Sequence, residues 1–190
     1  MSTYIALLRA VNVGGTGKLP MAELKAMCER IGCKNVRTYI ASGNVVFSYS
    51  KTAASVKKSL ERELAEYAGK PVGVHLRTPE EMAAVLADNP FPGSAKNHTV
   101  AIFLDEPPQA DMLKGITGQV KEEVALGNRE LYVSYGPTMG KSKLKIPAAK
   151  TGTARNMNTI ARLVELVQED GWDVYSPRLL LPPGTYPNLV

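Results

Sequence analysis

The sequence predicts an α+β protein in which two ferredoxin-like βαββαβ units stand in tandem and pack as one compact protein. Three observations lead to this prediction. Runs of β-prone residues and runs with helical periodicity alternate in the order βαββαβ, that order recurs in the second half, and 44% of the 190 residues are hydrophobic, enough to bury a core. The expected parts are a first unit at 1–77, a connecting helix and loop at 78–97, a second unit at 98–176 and a Pro/Leu-rich tail at 177–190.

The first unit contains four expected strands and two expected helices. The strands are Tyr4–Arg9, Asn35–Ile40, Asn44–Tyr49 and Val72–Leu76. Pro20 favours the first position of the first helix, because its fixed φ suits a helix and its missing N–H is not needed there. Thr52 can cap the second helix, and Gly69 can end it.

The second unit is expected to repeat this order after a short helix that begins at Pro79. Its strands are predicted at Thr99–Leu104, Glu123–Leu126, Leu131–Tyr135 and Asp173–Ser176. One helix is predicted at Gln109–Ile116. A long helix before the last strand is predicted from apolar residues at helical spacing, which are Met157, Ile160, Leu163, Val164 and Val167.

Composition and the lengths of the apolar runs predict where in the cell the protein is found. No apolar run approaches the roughly 20 residues that span a bilayer, and the N-terminus has no secretory signal, so we expect a soluble, cytoplasmic protein with no membrane partner. Cys28 and Cys33 are the only cysteines and have no partners that would complete a zinc site, so no metal or other cofactor is predicted. The net charge of +5 favours polyanion partners only weakly, and the oligomeric state is left open.

A glycine-rich loop follows the first strand, within the stretch LLRAVNVGGTGKLPM. Such a loop between a strand and a helix exposes backbone N–H groups where the helix dipole is positive, which favours an anion. The candidate ligand-binding residues are Arg9, Asn12, Gly14, Gly15 and Lys18. Neither the P-loop spacing nor the dinucleotide-binding spacing is matched. The alternative is a turn in which the glycines only reverse the chain.

A second basic region lies between Glu130 and Glu165, where the sequence contains no acidic residue. Its GPTMGKS motif is one residue short of P-loop spacing, which excludes a nucleotide P-loop. Lys141 and Lys143 are the candidate phosphate-binding residues of this region. The alternative is a solvated surface with no ligand.

Polar residues crowd the expected start of the last long helix, in the segment TGTARNMNT. Thr151 or Thr153 can cap this helix. Capping does not account for Arg155, Asn156 and Asn158, which can make several hydrogen bonds each and are further candidate ligand-binding residues. If the two units pack together, this helix terminus faces the glycine-rich loop and closes a site from the other side.

Four motifs in this order, LLRAVNVGG, RTYIASGNVVF, GKSKL and TARNMNT, resemble those of the bacterial family called Domain of Unknown Function 1697. The resemblance runs from about Tyr4 to about Val167. It implies a two-part α+β fold and brings no established reaction. The sequence departs from the family pattern at Ala10, where glycine is usual, and at Met157, where tryptophan is usual.

Three functions remain open from the sequence. The favoured one is binding of a small anionic or phosphorylated ligand between the glycine-rich loop and the N-terminus of the last long helix. RNA or single-stranded DNA binding is the alternative, in which an alternating stripe of Val45, Phe47 and Tyr49 stacks on bases if exposed and joins the core if buried. The third is a protein-interaction module that uses the tail. Whether the protein is an enzyme is left open, because His75 and His98, its only histidines, show no triad or metal spacing.

Overall fold

The computed structural model describes residues 1–13 and 18–169. The elements of the first half are β1 (Ser2–Leu8), α1 (Met21–Arg30), β2 (Lys34–Tyr39), β3 (Asn44–Tyr49), α2 (Ala53–Ala68) and β4 (Val74–Arg77). Those that follow are α3 (Pro79–Ala87), β5 (Thr99–Phe103), β6 (Glu123–Leu126), β7 (Glu130–Ser134), β8 (Thr153–Asn156) and α4 (Met157–Glu169). Three short 3₁₀ segments lie at Ala110–Gly115, Gly136–Lys141 and Pro147–Lys150. None of the helices within these ranges is long and apolar enough to cross a membrane.

The strands form two four-stranded antiparallel sheets. The order in the first sheet is β2-β3-β1-β4, and in the second it is β6-β7-β5-β8. In each sheet the first strand in chain order therefore lies between the third and the fourth. The predicted α+β class is confirmed at this level, and the first half runs in the expected βαββαβ order.

Local signals account for the helices of the first half. Thr52 caps α2 by accepting a hydrogen bond from the Ser55 N–H at 3.3 Å, and Gly69 ends the helix in the left-handed conformation. The same logic starts α3, where Thr78 and Glu81 form a reciprocal capping box. Pro20 occupies the cap position of α1 instead of the predicted first helical position.

The second half departs from the predicted order. The expected helix at Gln109–Ile116 is instead a 3₁₀ segment at Ala110–Gly115 in which no residue is buried, so it packs too little apolar surface to stabilise an α-helix. The long helix was expected before the last strand, but β8 precedes α4. The predicted strand Asp173–Ser176 and the tail at 177–190 lie outside the described residues.

The strand β8 arises in the segment that the sequence assigns to a helix start. It pairs antiparallel with β5, with Thr153 opposite Phe103 and Arg155 opposite Ala101. Its burial alternates with a period of two, since Thr153 and Arg155 are buried while Ala154 is exposed. The helix cap falls to Asn156, whose Oδ1 accepts from the Thr159 N–H at 2.9 Å.

Three hydrophobic clusters pack the helices and the 3₁₀ segments against the two sheets. The first packs α1 and α2 on the outer face of the first sheet, and the second joins the inner faces of both sheets with α3 and α4. The third lies on the outer face of the second sheet, beneath the 3₁₀ segments. We call residues 110–122 and 136–152, which cover this third cluster, the 3₁₀ layer.

Both faces of the first sheet are thus covered. Val45 and Phe47 are fully buried and Tyr49 is 4% exposed, all in the cluster beneath α1 and α2. The alternating stripe of β3 is part of the core, so it is not available to stack on nucleic acid bases.

Glu122 links the two parts of the 3₁₀ layer, residues 110–122 and residues 136–152, by hydrogen bonds. Its carboxylate accepts hydrogen bonds from the Ser142 hydroxyl and from the Val120 N–H at 2.7 Å. These hydrogen bonds, the Ser142 contact first, lower the pKa of Glu122 to about 2. The charged form of this carboxylate is the one that fits the fold.

Alanine substitution at two glycines in the left-handed conformation tests how tightly the end of β1 is packed. Gly43 has φ +79° and Gly69 has φ +67°, but a Cβ on Gly43 would lie 2.5 Å from Val11 Cγ2, whereas nothing lies within 4 Å of one on Gly69. Gly69→Ala is expected to cost about 1 kcal/mol for its backbone conformation, and Gly43→Ala about 1–3 kcal/mol more from overpacking. Urea unfolding of both variants measures the difference. Equal losses would show that the end of β1 is loosely packed.

Glu122→Gln should alter the acid dependence of stability. The depressed pKa of Glu122 means that its stabilising contribution is complete above the unfolded value of about 4.5 and is lost as the pH falls toward about 2. The variant should therefore be less stable than the wild type at pH 6, and most of this gap should be lost by pH 2.5. Urea midpoints across this range measure it, with exposed Glu123→Gln as the control. A gap that stays constant with pH would contradict the assignment.

Candidate functional site

Loops at the end of β1 gather several of the predicted site residues. We call residues 9–13, 18–19 and 40–43 the loop cluster. Asn12 braces it, because its Nδ2 donates to the carbonyls of Leu19 at 2.9 Å and Ala41 at 2.8 Å, and its Oδ1 accepts from the Leu19 N–H at 2.7 Å. The Asn12 amide thus fixes both ends of the glycine-rich loop. Gly14 and Gly15 lie outside the described residues.

Backbone strain is concentrated in the loop cluster. Ala10, Asn12 and Ile40 have φ values of 51°, 54° and 50°. This left-handed region is uncommon for non-glycine residues and is a genuine outlier for a β-branched isoleucine. Such strain persists only where the surroundings enforce it, and it tends to occur at functional sites.

A pocket of about 270 Å³ lies between the loop cluster and the C-terminal end of α2. We call it the loop pocket, and its lining residues are Ala10, Val11, Lys18, Leu19, Leu64, Tyr67, Ala68, Lys70 and Val72. Lys18 and Lys70 are the only charged residues in this described lining. Tyr67 donates its hydroxyl hydrogen to the Lys18 carbonyl at 3.2 Å, which joins α2 to the end of the loop.

Arg155 does not reach the loop pocket as a free ligand-binding group. It is 7% exposed, and its guanidinium donates to the carbonyls of Leu8 and Ser42, both at 2.8 Å, and of Gly43 at 3.2 Å. The remaining donors reach Asn44, Thr153 and Ala154. Burial lowers its pKa to about 10, so it is charged at neutral pH. In the structure Arg155 ties β8 to the first sheet, and its expected role in ligand binding stays a prediction.

The other predicted residues are dispersed. Arg9 is exposed and donates to the Lys150 carbonyl. Asn156 caps α4, and Asn158 is exposed on its first turn. The Met157 N–H at the start of α4 donates to the Lys96 carbonyl at 3.1 Å, and the contacts with the end of β1 come from Thr153 and Arg155 of β8.

Two predicted lysines lie on a different surface. Lys141 and Lys143 are exposed in the 3₁₀ layer, on the outer face of the second sheet. Among the described candidates, the structure therefore places Lys18 in the loop pocket and Asn12 as the brace beside it.

A larger cleft of about 420 Å³, which the sequence did not indicate, lies between the two sheets. Its charged residues are largely paired: Lys57 Nζ lies 2.6 Å from Asp105 Oδ1, and Arg129 Nη1 lies 3.1 Å from Glu81 Oε1. These residues come from separate segments of the chain, so no local sequence motif predicts the cleft. Within residues 1–13 and 18–169 no cluster of His, Cys, Asp and Glu has the composition to hold a metal ion.

Two buried groups lie behind this cleft. His75 Nε2 is 3.0 Å from the Thr151 carbonyl and Nδ1 is 3.2 Å from Asp105 Oδ1, while burial lowers the pKa of the imidazole. Arg77 donates to the Leu104 carbonyl at 2.8 Å and the Arg129 carbonyl at 2.6 Å, both in the second half. The cleft is therefore a charged joint between the sheets.

Replacing Arg155 tests its structural role. Arg155→Met removes the donors from buried carbonyls and is expected to lower the free energy of unfolding by about 3 kcal/mol or more. Arg162→Met is the control, because Arg162 is on the surface and pairs with Glu165 and Glu169 at 3.1 and 2.6 Å. Urea unfolding should show a large loss for the first variant and a small one for the second. Similar small losses would mean that the sheets do not depend on Arg155.

Comparisons with known proteins agree with this architecture. The chain is similar in structure to the conserved bacterial protein SP0830 from Streptococcus pneumoniae, with a TM-score of 0.73 and 24% identity, over 87% of this chain and 98% of that one. At this identity the likeness shows the fold alone. No curated protein matches the sequence. The family model described as "Protein of unknown function (DUF1697)" matches residues 1–132, and the chain belongs to that family.

Proposed function

We propose that the protein binds a small anionic ligand with an apolar body in the loop pocket. The observation that carries the proposal is that Lys18 and Lys70 both line a pocket whose other described lining residues are uncharged. Two cations without a carboxylate beside them in this lining create a local excess of positive charge, which attracts an anion. No chemical step is part of the proposal.

The apolar lining supports a ligand that is more than a bare anion. Val11, Leu19 and Leu64 are at least nine-tenths buried and form the pocket wall, while Tyr67 is 48% exposed at its side. Ligand sites typically combine such walls with a few placed polar groups. With a volume of about 270 Å³, the pocket suits a ligand about the size of a single ring with a phosphate or carboxylate group.

The glycine-rich loop adds a second support. Its glycines lie in sequence between Val13 and Lys18, and Asn12 braces the chain on both sides of it. Glycine lets a backbone approach a ligand closely, and the strained φ values at Ala10 and Asn12 are of the kind found at binding sites. In this proposal Gly14 and Gly15 supply N–H donors to the anionic group.

We also infer that both halves, 1–77 and 98–176, are ferredoxin-like units. The equivalent strand orders of the two sheets support this inference. The second unit then differs by carrying 3₁₀ segments where the first has α1 and α2.

Replacement of the pocket lysines tests the proposal. Lys18→Met and Lys70→Met should each weaken binding of phenyl phosphate about tenfold, because each removes a charge-assisted contact. Lys58→Met is the matched control, since Lys58 is exposed on α2 outside the lining. Isothermal titration calorimetry measures the three dissociation constants, with inorganic phosphate as a second probe that lacks the apolar body.

Two results would contradict the proposal. One is that the wild type binds neither phenyl phosphate nor inorganic phosphate. The other is an equal loss in all three variants, which would indicate a general charge effect. Tighter binding of inorganic phosphate than of phenyl phosphate would remove the apolar part of the proposal and leave the anion site.

A further inference from the structure

A row of lysines lies in the 3₁₀ layer, away from the loop pocket. From 141 to 146 the exposure of the chain alternates with a period of two. Lys141, Lys143 and Lys145 are exposed, and the residues between them are half-buried. Leu144, between two of the lysines, and Ile146, directly after the last one, pack against the third hydrophobic cluster. The stretch KSKLKI therefore turns its apolar side chains inward and its lysines outward.

The backbone of this lysine row is held in place by its neighbours. Thr117 and Lys145 exchange two backbone hydrogen bonds, of 3.0 and 2.8 Å, as in an antiparallel ladder. A Cβ on Gly118 would lie 2.2 Å from the Lys143 carbonyl oxygen, so only glycine allows this close approach. The row is thus a preformed surface with a fixed spacing.

The geometry of the row suits a polymer of regularly spaced anions. Lys141 is the last residue of the 3₁₀ segment, and the chain becomes extended at Ser142 after it. In extended chain, alternate residues lie roughly 6.5 Å apart. Successive lysines can therefore meet separate charges along an extended partner. A single small anion would engage only one or two of them.

The exposed charges around the row are mostly positive. The Glu122 carboxylate, which accepts from Ser142 within the row, is charged and offsets part of the positive field, but it is buried and engaged by backbone N–H groups. Elsewhere in the described 3₁₀ layer Lys114, Lys121 and Lys150 are exposed, and the opposing exposed carboxylate is Asp111. A surface on which exposed basic side chains outnumber carboxylates attracts nucleic acid backbones.

We propose that Lys141, Lys143 and Lys145 bind the phosphodiester backbone of a single-stranded nucleic acid. Membrane-surface binding is less well matched, because it uses apolar side chains that enter the lipid, and Leu144 and Ile146 are turned into the protein. The proposed site recognises the spacing of the phosphate charges and not the identity of the bases. It is independent of the loop pocket and of the ligand proposed there.

The test measures binding of fluorescein-labelled U12 and dT12 to the full chain by anisotropy at several salt concentrations. For single strands the slope of log K against log salt is about −0.7 for each neutralised phosphate, so the row should contribute about −2. K141Q/K143Q/K145Q should lose most of the binding and flatten the slope by about that amount. K34Q/K51Q/K58Q removes three exposed lysines elsewhere and should keep the slope.

Two further variants show whether binding depends on the charge of the row and whether it involves the loop pocket. K141R/K143R/K145R keeps the charges and should restore salt-dependent binding, and Lys18→Met should bind the oligonucleotides as the wild type does. No binding by the wild type, or equal loss in the row and control variants, would overturn the proposal. Binding to phosphatidylserine vesicles but not to either oligonucleotide would also overturn it and assign the row to a lipid surface.

Discussion

The attachment of the two sheets by buried guanidinium groups is the interaction on which the rest of the structure depends. Arg155 reaches from β8 of the second sheet to the Leu8, Ser42 and Gly43 carbonyls of the first half. Arg77 reaches from β4 to the carbonyls of Leu104 and Arg129 across the joint. A buried charge is costly unless its donors are satisfied, so this packing is stable only when both sets of carbonyls are in place.

This joint also fixes the geometry of the loop pocket. The carbonyls that receive Arg155 belong to the end of β1 and to the β2–β3 hairpin, from which the loop cluster extends. Asn12 then links the same hairpin to Leu19 through its side-chain amide. The same hydrogen-bonded backbone groups therefore connect the joint to the edge of the loop pocket.

The two proposed sites use positive charge in different ways. In the loop pocket Lys18 and Lys70 stand beside an apolar wall, an arrangement that suits one compact anion. In the lysine row exposed cations alternate with half-buried residues, of which Leu144 packs against the third hydrophobic cluster, an arrangement that suits a long polyanion. Both are compatible with the modest net charge of +5, because local distribution and not the total sets the field at each site.

The sequence by itself determined the elements whose signals are local. Asn44–Tyr49 was predicted with the bounds of β3, and Thr52 and Gly69 were identified as the ends of α2, because apolar period and capping act within a few residues. It also singled out Lys18, which lines the loop pocket. Only the tertiary structure decided that TARN is a strand and that Arg155 is buried, since the acceptors of that arginine come from residues more than 100 positions away, such as Leu8 and Gly43. A polar segment that is stabilised by distant carbonyls has the same local sequence features as an exposed binding loop, and no local pattern separates the two.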